Sequence, residues 1–282
     1  MKKTILLLLT FLLLCACGEG REESMPVHTA QPPAVSAEPE PSPEPSPTPT
    51  PEPTPTPEPG PSPIPLEPGA AMSRFEDAET GDYLDYWLFA PENAVEGMPL
   101  LVFLHGDGNR ALPESLENNP ISMAVSEIYG SEAPFLLLMP NTRLWSWTAG
   151  SIPETLIHLV ESVAAEYAVD AEHIMLSGHS RGAIGTWYFL SNYPELFSAA
   201  VPISCGCDEP LNYEAMAGVP VWGFCGDAGQ DGSHYLPAME KIAANINAAG
   251  GSANIQVLSG CDHAAAERAA WTKEVFEWLL SQ

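Results

Sequence analysis

The strongest constraint on the fold is an alternation of short apolar runs with longer helical patterns, which continues from about residue 99 to the end of the sequence. The runs "PLLVFLHG" (99–106) and "PFLLLMPN" (134–141) are almost wholly apolar, which is typical of strands buried on both faces of a sheet. Patterns with helical periodicity separate the later strands. This alternation predicts an α/β fold, with a mostly parallel central sheet and helices on both faces.

The same patterns give the bounds of the elements. "YLDYWLFAP" alternates from Tyr83, which predicts an antiparallel or edge strand. Pro153 suits the first turn of a helix. The other predicted strands span residues 99–106, 134–141, 174–177, 199–203, 219–225 and 254–258, and the predicted helices span 153–167, 181–192, 235–249 and 264–280.

Proline divides the chain into a spacer and a domain. More than half of the 30 prolines among the 282 residues lie between Gln31 and Pro68, in runs such as "PEPSPEPSPTPTPEP". Such a segment has too little apolar surface to offset the entropy of ordering. Polyproline-like backbone would extend it by about 3.1 Å per residue. We predict a disordered spacer over residues 18–68 and one domain of roughly 210 residues over 69–282.

The first residues, "MKKTILLLLTFLLLCACGEG", have the anatomy of a secretory signal. Two lysines precede an apolar run that is too short for a comfortable membrane span. The end of this run resembles a bacterial lipobox, with Leu14 three residues before Cys17 and Ala16 directly before it. The resemblance implies a signal peptide over residues 1–17 and a lipid on Cys17, which would anchor the protein at the extracellular face of the bacterial cell membrane. An ordinary cleaved signal is the alternative.

The charge of the chain limits its partners. A formal net charge of −27 argues against nucleic acid or an anionic membrane surface as a ligand. The acidic balance suits a soluble exported protein, and we expect a monomer.

The cysteines of the domain could form disulfides or bind a metal. The domain contains Cys205, Cys207, Cys225 and Cys261, and export would permit disulfides whose pairing the sequence cannot give. A zinc site is the sharper alternative, but "CGC" lacks the usual spacing and no paired histidine motif accompanies it. We therefore expect structural thiols or one disulfide, and no metal.

The stretch "HIMLSGHSRGAIGTW" (173–187) places a serine between two glycines where a predicted strand meets a predicted helix. A Gly-x-Ser-x-Gly match is weak by itself, but this position is the one that a nucleophile elbow requires. Larger side chains at Gly178 and Gly182 would clash in so tight a turn, and the helix that begins near Arg181 would add free N–H groups. We predict that Ser180 is a nucleophile; a serine N-cap after a glycine turn is the alternative.

An elbow predicts an acid and then a histidine later in the chain. "VLSGCDHAAAERAAW" follows the last predicted strand and supplies His263. No other histidine fits this position, and an unrelated surface histidine is the alternative. Asp227 and Asp231 follow the preceding strand. We favour Asp231, which has the reach to contact His263, over Asp227, which is better placed to brace its loop.

A second oxyanion donor is expected after an earlier strand. In "VFLHGDGN" the pair His105-Gly106 permits close backbone approach, so the N–H of Asp107 would join that of Arg181. An ordinary glycine-rich turn is the alternative.

The order of these segments resembles the α/β-hydrolase superfamily. It is most similar to the secreted esterase branch, with feruloyl and acetyl-xylan esterases and with polyhydroxybutyrate depolymerase-like and dienelactone-hydrolase-like proteins. Prolyl-oligopeptidase catalytic domains share this core. The resemblance covers nearly all of 69–282 and implies the α/β-hydrolase fold, Ser180 as nucleophile, His263 as base and an aspartate after the strand ending at Cys225 as acid.

The sequence departs from these relatives at several positions. Many relatives have a histidine where Cys225 stands and a spacing that would place the acid at Gly229, which leaves the acid open between the two aspartates. Relatives often carry a further glycine where Ala183 stands. Arg181, where many relatives carry Met or Gln, adds a cation beside the nucleophile that faces either substrate or a buried carboxylate.

Two tryptophans follow the predicted strand over 134–141. Trp145 and Trp147 would flank the site in an α/β-hydrolase and could stack on a sugar or phenolic group of a substrate. Core packing is the alternative for both.

These residues predict a surface-anchored serine hydrolase that cleaves carboxylic esters through an acyl-enzyme, without a metal or organic cofactor. The expected substrate is a small ester or an acyl group carried by a polysaccharide. A serine peptidase of the prolyl-oligopeptidase type is the nearest alternative. A glycan-binding protein that uses a hydrolase scaffold without catalysis is the alternative from another class.

Overall fold

The computed structural model describes residues 68–109 and 113–282. The predicted signal peptide (1–17), the predicted lipidation site Cys17 and the predicted spacer up to residue 67 lie outside the described residues. Within the described ranges, no helix combines the length and the apolar character needed to cross a bilayer.

The strands of the described ranges form one eight-stranded sheet in the order β1-β2-β4-β3-β5-β6-β7-β8. They are β1 (Gly69–Glu76), β2 (Tyr83–Ala90), β3 (Leu100–Leu104), β4 (Leu136–Asn141), β5 (Ile174–His179), β6 (Ala199–Ile203), β7 (Val221–Gly226) and β8 (Ala253–Leu258). The pairs β1–β2 and β2–β4 are antiparallel, and the remaining pairs are parallel. The predicted mostly parallel sheet is confirmed.

Helices cover both faces of this sheet, as the sequence predicts. They are α1 (Pro120–Tyr129), α2 (Ile152–Glu166), α3 (Arg181–Asn192), α4 (Tyr213–Met216), α5 (Leu236–Ala248), α6 (His263–Ala270) and α7 (Lys273–Leu279). One core lies between the sheet and α2, α3 and α5, and the other between the sheet and α1, α6 and α7. Leu190 of α3 and Phe276 of α7 are fully buried in these cores, and burial of such a side chain contributes about 1.5–3 kcal/mol to folding.

Two elements differ from the sequence prediction. No apolar alternation predicts β1, because it is an edge strand whose side chains are mostly exposed. The single helix predicted over 264–280 is two helices, α6 and α7, because the chain turns at Trp271 and Thr272. Trp271 enters the core, where its ring stacks on Phe276 at a centroid distance of 5.3 Å.

The four cysteines of the described domain are free thiols. Cys205 and Cys225 are buried, and burial raises the pKa of each thiol to about 12. A thiol with so high a pKa is a poor nucleophile at neutral pH. Both cysteines therefore act as packing side chains, and the disulfide considered from the sequence does not form.

The parallel strands place three loops together. β5, β7 and β8 run in the same direction, so their carboxyl ends meet at one edge of the sheet. Ser180 follows β5, Asp231 follows β7 and His263 follows β8. In open parallel sheets this edge is where ligand sites occur.

Candidate active site

Ser180 occupies a strained turn between β5 and α3. Its φ of 57° and ψ of −115° lie in a region that non-glycine residues seldom adopt. A Cβ on Gly178 would lie 2.3 Å from the carbonyl group of Gly182, and a Cβ on Gly182 would lie 1.8 Å from the main-chain oxygen of Leu104. The Ser180 N–H donates to the Ile203 carbonyl at 2.9 Å, which ties the turn to β6.

The Ser180 side chain contacts a histidine, which in turn contacts a buried carboxyl group. His263 Nε2 lies 2.9 Å from Ser180 Oγ, and His263 Nδ1 lies 2.7 Å from Asp231 Oδ1. Because a carboxylate only accepts, Nδ1 carries the proton and Nε2 is left with a lone pair for the serine hydroxyl. Ser180, His263 and Asp231 therefore form a continuous hydrogen-bonded relay.

Asp231 is held by donors on its second oxygen. The side chain is fully buried, and Oδ2 accepts from Ser204 Oγ at 2.6 Å and from the Gly226 N–H at 3.3 Å. A buried carboxylate needs such donors to replace the water that it has lost. Ser204 has a φ of 55° and follows β6, and no sequence motif marks it.

The other candidate acid has a different role in the structure. Asp227 accepts from the Gly260 N–H at 2.6 Å and from Ser259 Oγ at 3.1 Å. These bonds brace the loop that leads from β8 to His263. The structure thus brings Asp231 to the histidine and leaves Asp227 as the loop brace.

The loop after β3 packs against the elbow. A Cβ on Gly106 would lie 3.2 Å from Ser180 Cβ and from the His179 carbonyl oxygen, so glycine permits the close approach that the sequence predicts. Asp107 begins a short 3₁₀ turn and Arg181 begins α3. N–H groups at the first position of a helical turn have no acceptor within it, so both amides are suited to donate to an oxyanion.

His105 fixes this loop without carrying a charge. Its Nδ1–H donates to the Gly106 carbonyl at 2.6 Å, and its Nε2 accepts from the Thr142 N–H at 3.2 Å. Burial lowers the pKa of His105 to about 4. The ring therefore remains neutral, in the one tautomer that satisfies both bonds.

The chain is similar in sequence to known esterases. No family model matches the chain. Acetylxylan esterase A of Aspergillus ficuum is 26% identical over 154 residues, which are 48% of this chain and 47% of that protein. A bifunctional acetylxylan esterase/xylanase of Neocallimastix patriciarum is 25% identical over 130 residues, which are 45% of this chain and 18% of that protein. The chain thus spans about half, or less, of the length of these relatives.

Solved esterase structures share the fold. A thermostable esterase superposes with a TM-score of 0.67 and 25% identity, covering 76% of this chain and 63% of that one. Acetyl xylan esterase from Aspergillus awamori superposes with a TM-score of 0.55 and 14% identity, covering 75% of this chain and all of that one (100%). The chain has the α/β-hydrolase fold.

The relay of Ser180, His263 and Asp231 opens into a cavity of about 450 Å³. Its lining includes Ser180, Arg181, Asp208, His234 and Tyr235. A larger cleft, of about 610 Å³, lies between α1 and the β1–β2 edge and contains no member of the relay. We place the candidate active site at the smaller cavity, because Ser180 faces it.

Arg181 joins the loops around this cavity. Its Nε lies 2.5 Å from Asp107 Oδ1, and its Nη1 donates to the Trp145 carbonyl at 2.6 Å. The guanidinium also lies 5.2 Å from the centre of the Trp145 ring. The carboxylate that pairs with Arg181 is therefore the half-exposed one of Asp107.

The two tryptophans predicted at the substrate site face different surroundings. Trp145 is 58% exposed and remains a candidate for substrate contact. Trp147 is only 1% exposed, and its indole N–H donates to the His105 carbonyl at 3.0 Å. The prediction that Trp147 contacts substrate is therefore wrong, because this side chain is a buried support for the loop after β3.

Proposed function

We propose that this α/β-hydrolase is a serine-dependent carboxylic ester hydrolase. The observation that carries the proposal is the relay from Ser180 Oγ through His263 to the buried Asp231, with donor–acceptor distances of 2.9 and 2.7 Å. The acetylxylan esterases among the relatives support ester chemistry in particular.

The relay supports an acyl-enzyme mechanism. Ser180 Oγ attacks the ester carbonyl while His263 Nε2 takes the hydroxyl proton, and Asp231 stabilises the imidazolium that forms. The main-chain N–H groups of Asp107 and Arg181 would bind the oxyanion. His263 then protonates the departing alcohol, and water attacks the acyl-enzyme by the same route to release the acid and restore Ser180.

We propose acyl groups on polysaccharides as the substrate class. The cavity beside Ser180 is large enough for a small acyl group, and the exposed Trp145 beside Arg181 offers an aromatic surface for a sugar ring. Hydrolysis of acetylated xylan, feruloylated xylan and peptide amides should be compared. Faster cleavage of the amides would instead favour a peptidase.

We also propose that Cys17 carries a lipid and that the proline-rich segment 18–68 holds the domain away from the membrane. This part of the proposal rests on the sequence alone. Cys17→Ala should release the protein from the membrane fraction of a bacterial host. Equal retention of the variant and the wild type would reject a lipid anchor at this residue.

The hydrolase proposal is tested with p-nitrophenyl acetate. Ser180→Ala should lower kcat/KM by about 10⁴-fold or more, since the nucleophile of such a relay cannot be replaced by its neighbours. Circular dichroism establishes that the variant is folded. If folded Ser180→Ala hydrolyses the ester as fast as the wild type, Ser180 is not the nucleophile.

A further inference from the structure

A second histidine–carboxyl pair contacts the residue that carries the proposed base. His179, the last residue of β5, has its Nε2 3.1 Å from the main-chain oxygen of His263 and its Nδ1 3.2 Å from Glu267 Oε2. Glu267 lies four residues after His263 in α6, and its Oε1 accepts from Asn119 Nδ2 at 3.3 Å. The proposed mechanism uses neither His179 nor Glu267.

The pair is shielded from solvent. His179 is 7% exposed, and the side chain of Glu267 is 14% exposed. An uncompensated charge in such surroundings is unfavourable, because little water is available to solvate it. The protonation state of the pair must therefore agree with the contacts that its atoms make.

Those contacts require one proton more than a neutral histidine and an ionised glutamate would have. The His263 carbonyl only accepts, so His179 Nε2 must carry a proton. The Nδ1 atom then faces Glu267 Oε2, and two lone pairs 3.2 Å apart would repel each other. A proton on either Nδ1 or Glu267 removes that repulsion.

The surroundings decide where the extra proton resides. Burial raises the pKa of Glu267 to about 7, although the Asn119 hydrogen bond and the Arg268 charge oppose this. Burial, together with the nearby His263, lowers the pKa of His179 to about 3, while the His263 carbonyl and Asp231 oppose this. Below about pH 7 the extra proton therefore resides on Glu267, and His179 is neutral.

We propose that Glu267 and His179 are positioning residues that hold the main chain of His263 only while Glu267 is protonated. This inference rests on the proposed function. When Glu267 ionises, its carboxylate attracts the Nδ1–H tautomer of His179. Nε2 then has no proton, and its lone pair faces the His263 carbonyl. The loop that orients the base loosens, so activity falls as the pH rises.

Glu267→Gln separates this role from a structural one. The amide oxygen of glutamine can still accept from Asn119, and its NH₂ can donate to His179 Nδ1 at every pH. His179 then keeps the proton on Nε2. Glu274→Gln, at an exposed position of α7, removes the same charge elsewhere and is the matched control.

The first readout is kcat/KM for p-nitrophenyl acetate between pH 5 and 9, with the full chain. The wild type and Glu274→Gln should show a descending limb near pH 7, and Glu267→Gln should lack it. Glu267→Gln should equal the wild type at pH 6 and exceed it by up to about tenfold at pH 8, because one proton is lost per site. A descending limb retained in Glu267→Gln, or an equal loss of activity at every pH, overturns the proposal.

A second readout does not depend on catalysis or on the stability of Glu267→Gln. In Ser180→Ala, nitrogen-15 chemical shifts of His179 report which ring nitrogen carries the proton. The proposal predicts the Nε2–H tautomer at pH 5.5 and the Nδ1–H tautomer at pH 8.5. One tautomer across the whole range contradicts it, whatever the outcome of the hydrolase assay.

Discussion

The two histidine–carboxyl pairs of the domain lie side by side, with the rings of His179 and His263 4.6 Å apart, but their acids have different surroundings. Asp231 receives the His263 ring on one oxygen, and the Ser204 hydroxyl and the Gly226 N–H on the other. Glu267 has one amide donor on Oε1 and faces His179 with Oε2. Asp231 therefore has enough hydrogen-bond donors to stabilise an ionised carboxylate, and Glu267 does not.

This difference shows how one fold can assign two roles to the same chemical groups. A carboxylate that accepts several hydrogen bonds can stabilise an imidazolium, which is what a base such as His263 needs. A buried carboxyl group with few donors retains its proton and can itself donate. The first pair is therefore suited to chemistry, and the second is suited to holding a main chain in place.

Removal of the charge from the Asp231–His263 pair should have the largest effect, a loss of kcat. Asp231→Asn presents an amide to His263 Nδ1 and favours the wrong tautomer of the ring, which in comparable relays lowers kcat by about 10⁴-fold. Steady-state kinetics with p-nitrophenyl acetate measures the loss.

Asp227→Asn is the matched control, because Asp227 braces the same region without touching His263. It should retain kcat within a few-fold of the wild type. A loss at Asp227 as large as that at Asp231 would mean that the acid has been assigned to the wrong residue.

Neutralising Glu267 of the Glu267–His179 pair should have an intermediate effect, a change in the unfolding free energy that depends on pH. The folded-state pKa of Glu267 is raised from 4.5 to about 7. Its contribution to stability is thus full below pH 4.5 and is lost as the pH rises through about 7. The unfolding free energy of the wild type, relative to Glu267→Gln, should fall by up to about 3 kcal/mol between pH 4 and pH 8.

Urea titrations of both proteins across this pH range measure the difference. Because glutamine does not titrate, the comparison isolates the carboxyl group. A difference that stays constant with pH would show that Glu267 has the same pKa in the folded and the unfolded protein, and the contrast between the two acids would disappear.

Removal of one hydrogen-bond donor to Asp231 should have the smallest effect, a modest loss of unfolding free energy. Ser204→Ala takes the hydroxyl from Asp231 Oδ2 and should lower the unfolding free energy at pH 7 by about 2 kcal/mol, as expected for a buried hydrogen bond to a charged group. Ser259→Ala removes a similar hydrogen bond from the exposed Asp227 and should change the unfolding free energy by about 0.5 kcal/mol or less. Equal losses would show that burial of the acid makes no difference.

The fold could be predicted where buried elements have an apolar pattern in the sequence. The helix over 181–192 and the strand over 199–203 have the bounds that the sequence predicts, because both are apolar elements between clear turn signals. β1 could not be predicted, because an exposed edge strand has no apolar pattern. The break between α6 and α7 arises from packing of Trp271 on Phe276, which no local propensity encodes.

The candidate site divides in the same way. Ser180 and His263 could be located because a local motif and the strand order restrict their positions. Ser204 and Glu267 could not, since both act through contacts that are distant in sequence. Ser204 contacts a residue 27 positions away, and Glu267 contacts residues 88 and 148 positions away. Trp145 and Trp147 look equivalent in sequence, but the loop points one outward and buries the other.

The central claim is that Ser180 attacks the ester carbonyl. An irreversible phosphonate ester that mimics the tetrahedral intermediate, followed by peptide mapping with mass spectrometry, tests it most directly. We expect one adduct per chain, on Ser180, that abolishes hydrolysis and does not form in Ser180→Ala. Inactivation with the adduct on another residue, or full labelling of Ser180 with hydrolysis unchanged, would contradict the account.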